Sequence, residues 1–245
     1  MLSSSAASVS TVGGICAASV NGVSYGNSVQ RSCPIAIPDE FQGYSLDSFC
    51  VPQFYARELE SVLIPQGLLK DRTQRLAQDI IHDLGAEPFI AIGVLNGAYR
   101  FFTQLLEEMK PFQKFPVTVD FIRLKSYMDT DSVDEVKILN QFSFESLKDQ
   151  NVLVVEDIID SGKTMLKLLE LFNNCDTPPK RVQVASLLLK RTDRSCGYCP
   201  EYAGFSIPDR FVVGCGLDYN ERFRDLTHIC VPNVASIQKY SVKKT

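Results

Sequence analysis

From Val152 the chain reads Val-Leu-Val-Val-Glu-Asp-Ile-Ile-Asp-Ser-Gly-Lys-Thr-Met, and this segment constrains the fold more than any other. Its four leading apolar residues suit a strand buried on both faces of a parallel sheet. Beyond the polar loop, Met165, Leu168, Leu169 and Phe172 fall at i, i+3, i+4 and i+7, one face of a helix. A strand feeding a tight loop that ends on a helix N-terminus offers free backbone N–H groups and the positive end of a helix dipole to an anion. Gly162 lets backbone approach a ligand closely, and Ser161 and Thr164 add hydroxyl donors. The stretch Asp160, Ser161, Gly162, Lys163, Thr164 therefore predicts a phosphate site.

Gly162-Lys163-Thr164 also supplies the last three positions of a nucleoside-triphosphate loop, G-x-x-x-x-G-K-[ST], but the first glycine of that motif falls on Asp157. Glu156 and Asp157 would repel a phosphate chain, whereas they suit vicinal sugar hydroxyls or a hydrated Mg²⁺. The ligand implied is a ribose 5-phosphate moiety. An ordinary strand-to-helix turn with an N-cap serine is the bland alternative.

Other runs place this unit in a larger sheet. A helix is predicted from about Gly67 to Leu84, with Leu69, Leu76, Ile80 and Leu84 on one face and a stop at Gly85. Phe89 to Leu95 reads as a buried strand, followed by Asn96-Gly97 and a helix whose core face is Ala98, Phe101, Phe102, Leu105 and Met109. Phe115 to Leu124 opens with alternating Val117, Val119 and Phe121. Val184 to Leu189 is another buried strand, and Phe211 to Val213 a short one. This alternation implies an α/β fold with a mainly parallel sheet flanked by helices, where ligands bind beyond the carboxyl ends of strands. Three such ends carry Asn96-Gly97, the Glu156 to Thr164 loop and Lys190.

Composition narrows the function classes. The net charge of −4 gives no overall attraction to nucleic acid or an anionic membrane. No apolar run approaches the roughly 20 residues of a membrane span. Residues 1–38 are read as a low-complexity, disordered tail, with Arg31 the only charge before Pro38, and 39–245 as one domain. The tail lacks the features of a secretory or transit signal, which points to the cytoplasm. The eight cysteines form no framework, and Cys196 and Cys199, the single C-x-x-C pair, lack the second pair that structural zinc wants; reduced thiols are expected.

The loop resembles the phosphoribosyl-pyrophosphate signature of the type I phosphoribosyltransferases. Leu63 to Ile80, Val119 to Tyr127, Val184 to Thr192 and Phe211 to Val231 resemble the purine-salvage branch of that family, so roughly Phe41 to Tyr240 is covered. The resemblance implies the type I phosphoribosyltransferase fold, with a small hood and a mobile antiparallel hairpin loop containing Ser126 and Tyr127. It implies transfer of 5-phosphoribosyl from phosphoribosyl pyrophosphate to hypoxanthine or guanine, giving IMP or GMP and pyrophosphate, in a homodimer or homotetramer. Asp160 to Thr164 would hold the 5-phosphate. Glu156 and Asp157 would hold the ribose hydroxyls and a metal. Lys190 would meet the purine O6, Phe211 would stack on the base and the Val212 backbone would read its edge. Asp218 would ligate Mg²⁺ on pyrophosphate beside the purine site, and Arg224 would neutralise the leaving group together with the Asn96-Gly97 loop.

Removing a proton from the purine imidazole requires a positioned base, and the family's loop aspartate matches Asp160. His82 and His228, the two imidazoles, lie near no motif. One position departs from the pattern: where the family commonly has Leu-Lys-Gly, this chain has Leu95-Asn96-Gly97, which predicts weaker donor affinity. In relatives the bond before that residue can be a cis peptide. A weakly active paralogue that binds nucleotide and serves regulation is the second reading this substitution keeps open.

Overall fold

The computed structural model describes residues 31–85, 87–127 and 135–241. In chain order the strands are β1 (Ile35–Ala36), β2 (Leu59–Ile64), β3 (Phe89–Leu95), β4 (Val117–Tyr127), β5 (Glu135–Ile138), β6 (Asn151–Ile159), β7 (Arg181–Lys190), β8 (Tyr202–Ile207) and β9 (Ile229–Pro232). The helices are α1 (Gln53–Ala56), α2 (Gln66–Leu84), α3 (Tyr99–Met109), α4 (Lys163–Asn174) and α5 (Val234–Tyr240).

Seven strands form one sheet in the order β1-β8-β7-β6-β3-β4-β5, parallel throughout except for the β4–β5 hairpin. The run Val152 to Val155 alternates across β6 as a two-residue period requires. Leu153 and Val155 join the core under α2 and α3, while Val152 and Val154 join the core under α4. Each helix presents the stripe read from the sequence: Leu69, Leu76, Ile80 and Leu84 on α2, Phe101, Phe102, Leu105 and Met109 on α3, and Met165, Leu168 and Phe172 on α4 are all buried. Gly85, at φ +67°, ends α2, as glycine does past a helix terminus.

From β3 the chain crosses through α3 to β4 on one side, and from β6 it crosses through α4 to β7 on the other. The neighbouring pair β3 and β6 is therefore the point where the winding reverses, and in such sheets ligands bind beyond the carboxyl ends of the strands at that point. Asn96-Gly97 leaves β3 there, and Glu156 to Thr164 leaves β6.

A small hood covers this end. β2 pairs antiparallel with β9, and a separate cluster of Leu59, Val62, Val213, Phe223, Leu226 and Cys230 fills it. His228 ties the hood to the main body: its Nδ1 accepts the N–H of Gln66, the first residue of α2, at 2.9 Å. Among the described residues no helix is long and apolar enough to cross a membrane.

Four expectations need correction. Phe211 to Val213 is no strand, because Val213 makes only an isolated bridge to Cys230; the strand in that region is β8. Gly204 and Ser206 interrupt the apolar pattern of β8, and Gly204 is bare because a Cβ there would lie 2.6 Å from the Leu187 carbonyl. Val119 and Phe121 are only half-buried near the sheet edge, although Phe121 still meets buried Phe102 with ring centroids 5.2 Å apart, while Ile122 on the other face is fully buried. The boundary at Asp39 falls inside the fold, since Ile35–Ala36 pairs with β8 and buried Arg72 donates to the Ser32, Cys33, Ala203 and Gly204 carbonyls. Lastly, Cys199 is disulfide-bonded and not reduced, while Cys196 is a free thiol, so the two do not close on each other. The tail before Arg31 and the hairpin tip at 128–134 lie outside the described residues.

Candidate active site

The phosphate loop turns on Gly162, which caps α4 with φ +82°. A Cβ there would be strained by that φ and would also press Cys196 Sγ and Tyr198 Cβ, each at 3.0 Å. The Cys196 N–H donates to the Ser161 carbonyl at 2.9 Å, so the segment after β7 supports the loop from below. Ser161 Oγ accepts the Lys163 N–H at 3.4 Å, placing the hydroxyl at the helix start where an anion is favoured.

Upstream, Glu156 and Asp157 stand side by side at the end of β6. Burial raises the Glu156 carboxyl well above its ordinary value, and the neighbouring Asp157 pushes it further. Burial also raises Asp157, against hydrogen bonds from Glu156 and the Ile158 backbone and the field of Arg224. Two buried acids pushed toward protonation make a pocket that favours a cation or hydroxyl donors.

The Asn96-Gly97 loop presses directly on this pair. A Cβ on Gly97 would lie 1.8 Å from Asp157 Oδ2, so only a bare glycine fits. Its carbonyl faces a second bare position, since a Cβ on Gly216 would lie 2.1 Å from the Gly97 oxygen. Arg224 continues the chain of contacts by donating through Nη1 to the Gly216 carbonyl at 2.9 Å and pairing with Asp218 at 2.9 Å. The peptide between Leu95 and Asn96 is cis.

Beyond Asp160, Lys190 ends β7 with its side chain only 8% exposed, 3.4 Å from Asp160 and 3.8 Å from Asp209. Such a buried ammonium requires counter-charges, and it keeps a position where a polar ligand group can compete for it. Phe211 is 44% exposed and braced edge-on by Tyr219, with ring centroids 5.2 Å apart, which leaves a face free for stacking. Val212 is buried beside it. The described residues contain no group of three metal-ligating side chains, so the acid pair and Asp218 do not form one cage.

A phosphoribosyl transferase domain profile matches residues 64–220. The hypoxanthine-guanine phosphoribosyltransferases of Mus musculus and Homo sapiens are each 50% identical over 215 residues, which covers 86% of this chain and 98% of theirs. The chain belongs to the phosphoribosyltransferase family. A solved structure of the hypoxanthine-guanine phosphoribosyltransferase from Schistosoma mansoni in complex with IMP is also similar, with a TM-score of 0.72 and 36% identity over 86% of this chain and all of that one.

In this phosphoribosyltransferase the contacts above bring Asp157, Gly97, Gly216, Arg224 and Asp218 together in one group and Asp160 and Lys190 in a second, with Glu156 and the Asp160 to Thr164 loop adjoining both along the chain. Ser126 and Tyr127 end β4, in antiparallel register with Val136 and Glu135, but their side chains are not among those described. Sequence reasoning missed Arg194, which bonds to Asp160 at 3.1 Å, and Asp209, which accepts from Thr192 at 2.8 Å. It missed Gly216 as well. The signal for the first two was the polar stretch after Lys190, which reads as an ordinary solvated turn.

Proposed function

We propose that this phosphoribosyltransferase works in purine salvage, transferring 5-phosphoribosyl from phosphoribosyl pyrophosphate to hypoxanthine or guanine with release of pyrophosphate. The observation that carries the reading is the set of strand ends at the reversal point, where a buried acid pair and a phosphate loop leave β6 and a buried lysine ends the adjoining β7 against that loop. These three elements suit the 5-phosphate, the ribose and the 6-oxopurine of one ligand. The similar transferases of the mouse, human and schistosome enzymes support the choice of base.

The residues fit a hard divalent cation. Glu156, Asp157 and Asp218 offer carboxylate oxygens, and the buried pair is short of positive charge. Mg²⁺ commonly uses one or two protein carboxylates and takes its remaining oxygens from phosphates and water, so a closed three-residue cage is not needed. Bound there, it would supply charge stabilisation for departing pyrophosphate.

The chain's own groups account for the rest. Backbone N–H groups and hydroxyls of Asp160 to Thr164 hold the 5-phosphate at the α4 terminus. Glu156 and Asp157 accept from the ribose hydroxyls, and Gly97 holds the Asp157 carboxylate from behind. Lys190 donates to O6, Phe211 stacks on the ring and the Val212 backbone meets its edge. Asp160 takes the imidazole proton, while Arg224 and the Gly97 backbone receive the leaving group. Ser126 and Tyr127 would close over the site from the β4–β5 hairpin. Cytoplasmic location and a homodimer or homotetramer complete the proposal; the half-exposed Val119 and Phe121 on one face of β4 offer apolar surface to a second copy.

The test is incorporation of radiolabelled hypoxanthine into nucleotide with donor and Mg²⁺ present. Turnover is expected, with guanine competing and adenine not. Absence of turnover in a protein that still binds GMP would refute the enzyme reading and leave a nucleotide-binding paralogue.

A further inference from the structure

Around Asp160 lies a group of charges that the phosphate loop does not account for. Arg194 Nη2 is 3.1 Å from Oδ1 and 3.3 Å from Oδ2 of Asp160, and 3.3 Å from Oδ1 of Asp209. Asp209 accepts the Thr192 hydroxyl at 2.8 Å, and Thr192 Oγ1 accepts from Arg194 Nε at 3.2 Å and from the Arg194 N–H at 3.3 Å. Lys190 is the second cation between the same two carboxylates. The Thr192 hydroxyl first, then Arg194 and Lys190, hold the Asp209 carboxyl below its ordinary range.

The segment carrying Arg194 is fastened at both ends. The Arg191 N–H donates to the Ile207 carbonyl at 2.8 Å, and the Cys196 N–H to the Ser161 carbonyl at 2.9 Å. The four residues between these anchors, 192–195, are held between β8 and the phosphate loop, which places Arg194 beside Asp160 by construction of the fold. As a bare ion pair the contact would count for little, since the Arg194 side chain is 63% exposed and screened by solvent. Its interest lies in what happens to Lys190.

Lys190 has two claims on it. Its ammonium faces Asp160, and a 6-oxo group would draw it off that carboxylate. A base that loses one of its two cationic partners on substrate binding loses part of what fixes its orientation. Resting on Asp160 as the general base, we infer that Arg194 is the positioning residue for that base, anchored by Asp209 and Thr192. When the purine takes Lys190, Arg194 keeps the Asp160 carboxylate aimed at the ring N–H, and Asp209 remains as counter-charge for Lys190. The imidazole proton passes to an Asp160 oxygen as the attacking ring nitrogen bonds to C1 and the C1–oxygen bond breaks, its electron pair leaving on pyrophosphate.

Steady-state kinetics of the full chain with Arg194→Ala, Arg194→Lys, Asp160→Asn and the Asp160→Asn/Arg194→Ala pair tests this, with GMP binding and thermal melting measured on each. Arg194→Ala should lower kcat about 10- to 100-fold, part of the roughly 10²–10⁴ that a positioned base supplies. GMP affinity and the donor KM should stay within about twofold, because the phosphate loop is untouched. Arg194→Lys should recover part of the rate, as should millimolar methylguanidine added to Arg194→Ala. Added to Asp160→Asn, Arg194→Ala should cost nothing further. Parental kcat in Arg194→Ala beside a slow Asp160→Asn would overturn the inference alone. So would a loss confined to GMP affinity, or the same loss repeated in the double variant. Parental kcat in Asp160→Asn would overturn the base itself, and the inference with it.

Discussion

Gly97→Ala is the most exacting perturbation, because it adds one methyl group at a point where three loops meet. The new Cβ would lie 1.8 Å from Asp157 Oδ2 and 2.6 Å from its Cγ. Reaching an ordinary contact of about 3.3 Å requires a movement of roughly 1.5 Å. Asp157 is short of room to provide it, since its Oδ1 accepts the Ile158 N–H at 2.9 Å and the side chain is buried. The glycine loop has no more freedom, because its carbonyl already faces the bare Gly216. Overpacking of this kind costs about 1–3 kcal/mol. In a chain of this size each kcal/mol lowers Tm by about 2–4 °C, so a fall of roughly 2–12 °C is expected. Activity should suffer more than stability, since a displacement of about 1 Å at a reacting group can cost about 10²-fold. The assay is a donor titration of IMP formation alongside a melting curve. Gly67→Ala is the internal control: nothing lies within 4 Å of its Cβ, and it sits in the first turn of α2. It should gain about 0.5–1 kcal/mol and leave kinetics alone. Parental kcat/KM and Tm in Gly97→Ala would refute the contact on which the site's geometry rests.

Asn96→Lys should lower the donor KM several-fold with little change in kcat, since a charged hydrogen bond to pyrophosphate is worth about 1.5–3 kcal/mol before solvent screening; an unchanged KM would show that the substitution does not set donor affinity. Lys190→Ala should raise the KM for hypoxanthine and guanine at least about tenfold while sparing the donor KM, as one charged hydrogen bond to the base is lost; equal effects on base and donor would remove it from the O6 role. His228 predicts a pH dependence of stability. Burial holds its pKa below the ordinary value, outweighing a hydrogen bond to the Cys50 backbone. The folded pKa lies below the unfolded one, so its contribution is complete above about 6.5 and is lost as pH falls through that value toward the lowered folded one. Between about pH 7.5 and about pH 5.5 in urea unfolding, the parent should lose more stability than His228→Gln, by up to about 1 kcal/mol. An identical pH dependence in the two would refute it.

Much of the fold can be read directly from the chain, and the reason is burial on two faces. β3 and the Val152 to Val155 stretch of β6 are packed on both faces, so these sequences are unbroken apolar runs, and the bounds Phe89–Leu95 read from the sequence are those of β3. Edge positions are less legible. Val119 and Phe121 look like core residues by composition, yet β4 has only the short β5 beyond it, and they stay half-buried near the sheet edge. β8 escaped detection for the opposite reason: Gly204 lies in it because β7 backbone comes too close for a side chain, so the residue that marks tight packing reads as a break.

The site divides in the same way. Glu156 to Thr164 is contiguous, so both its chemistry and its strand-to-helix setting are visible in a single window. The pyrophosphate end is assembled from segments more than a hundred residues apart, and its decisive members are defined by what they lack. Gly97 and Gly216 are bare because each faces another part of the site: Asp157 Oδ2 for the first, the Gly97 carbonyl for the second. No spacing rule marks a glycine whose requirement is a distant carbonyl. Arg194 and Asp209 are hidden for a related reason, since a charged turn after a strand looks solvated until the segment is fastened at Ile207 and Ser161 and turned toward Asp160. These unmarked residues lie between the marked ones and set their separation. It follows that single-methyl and single-charge changes at Gly216 and Arg194 should disturb catalysis while every motif residue remains in place.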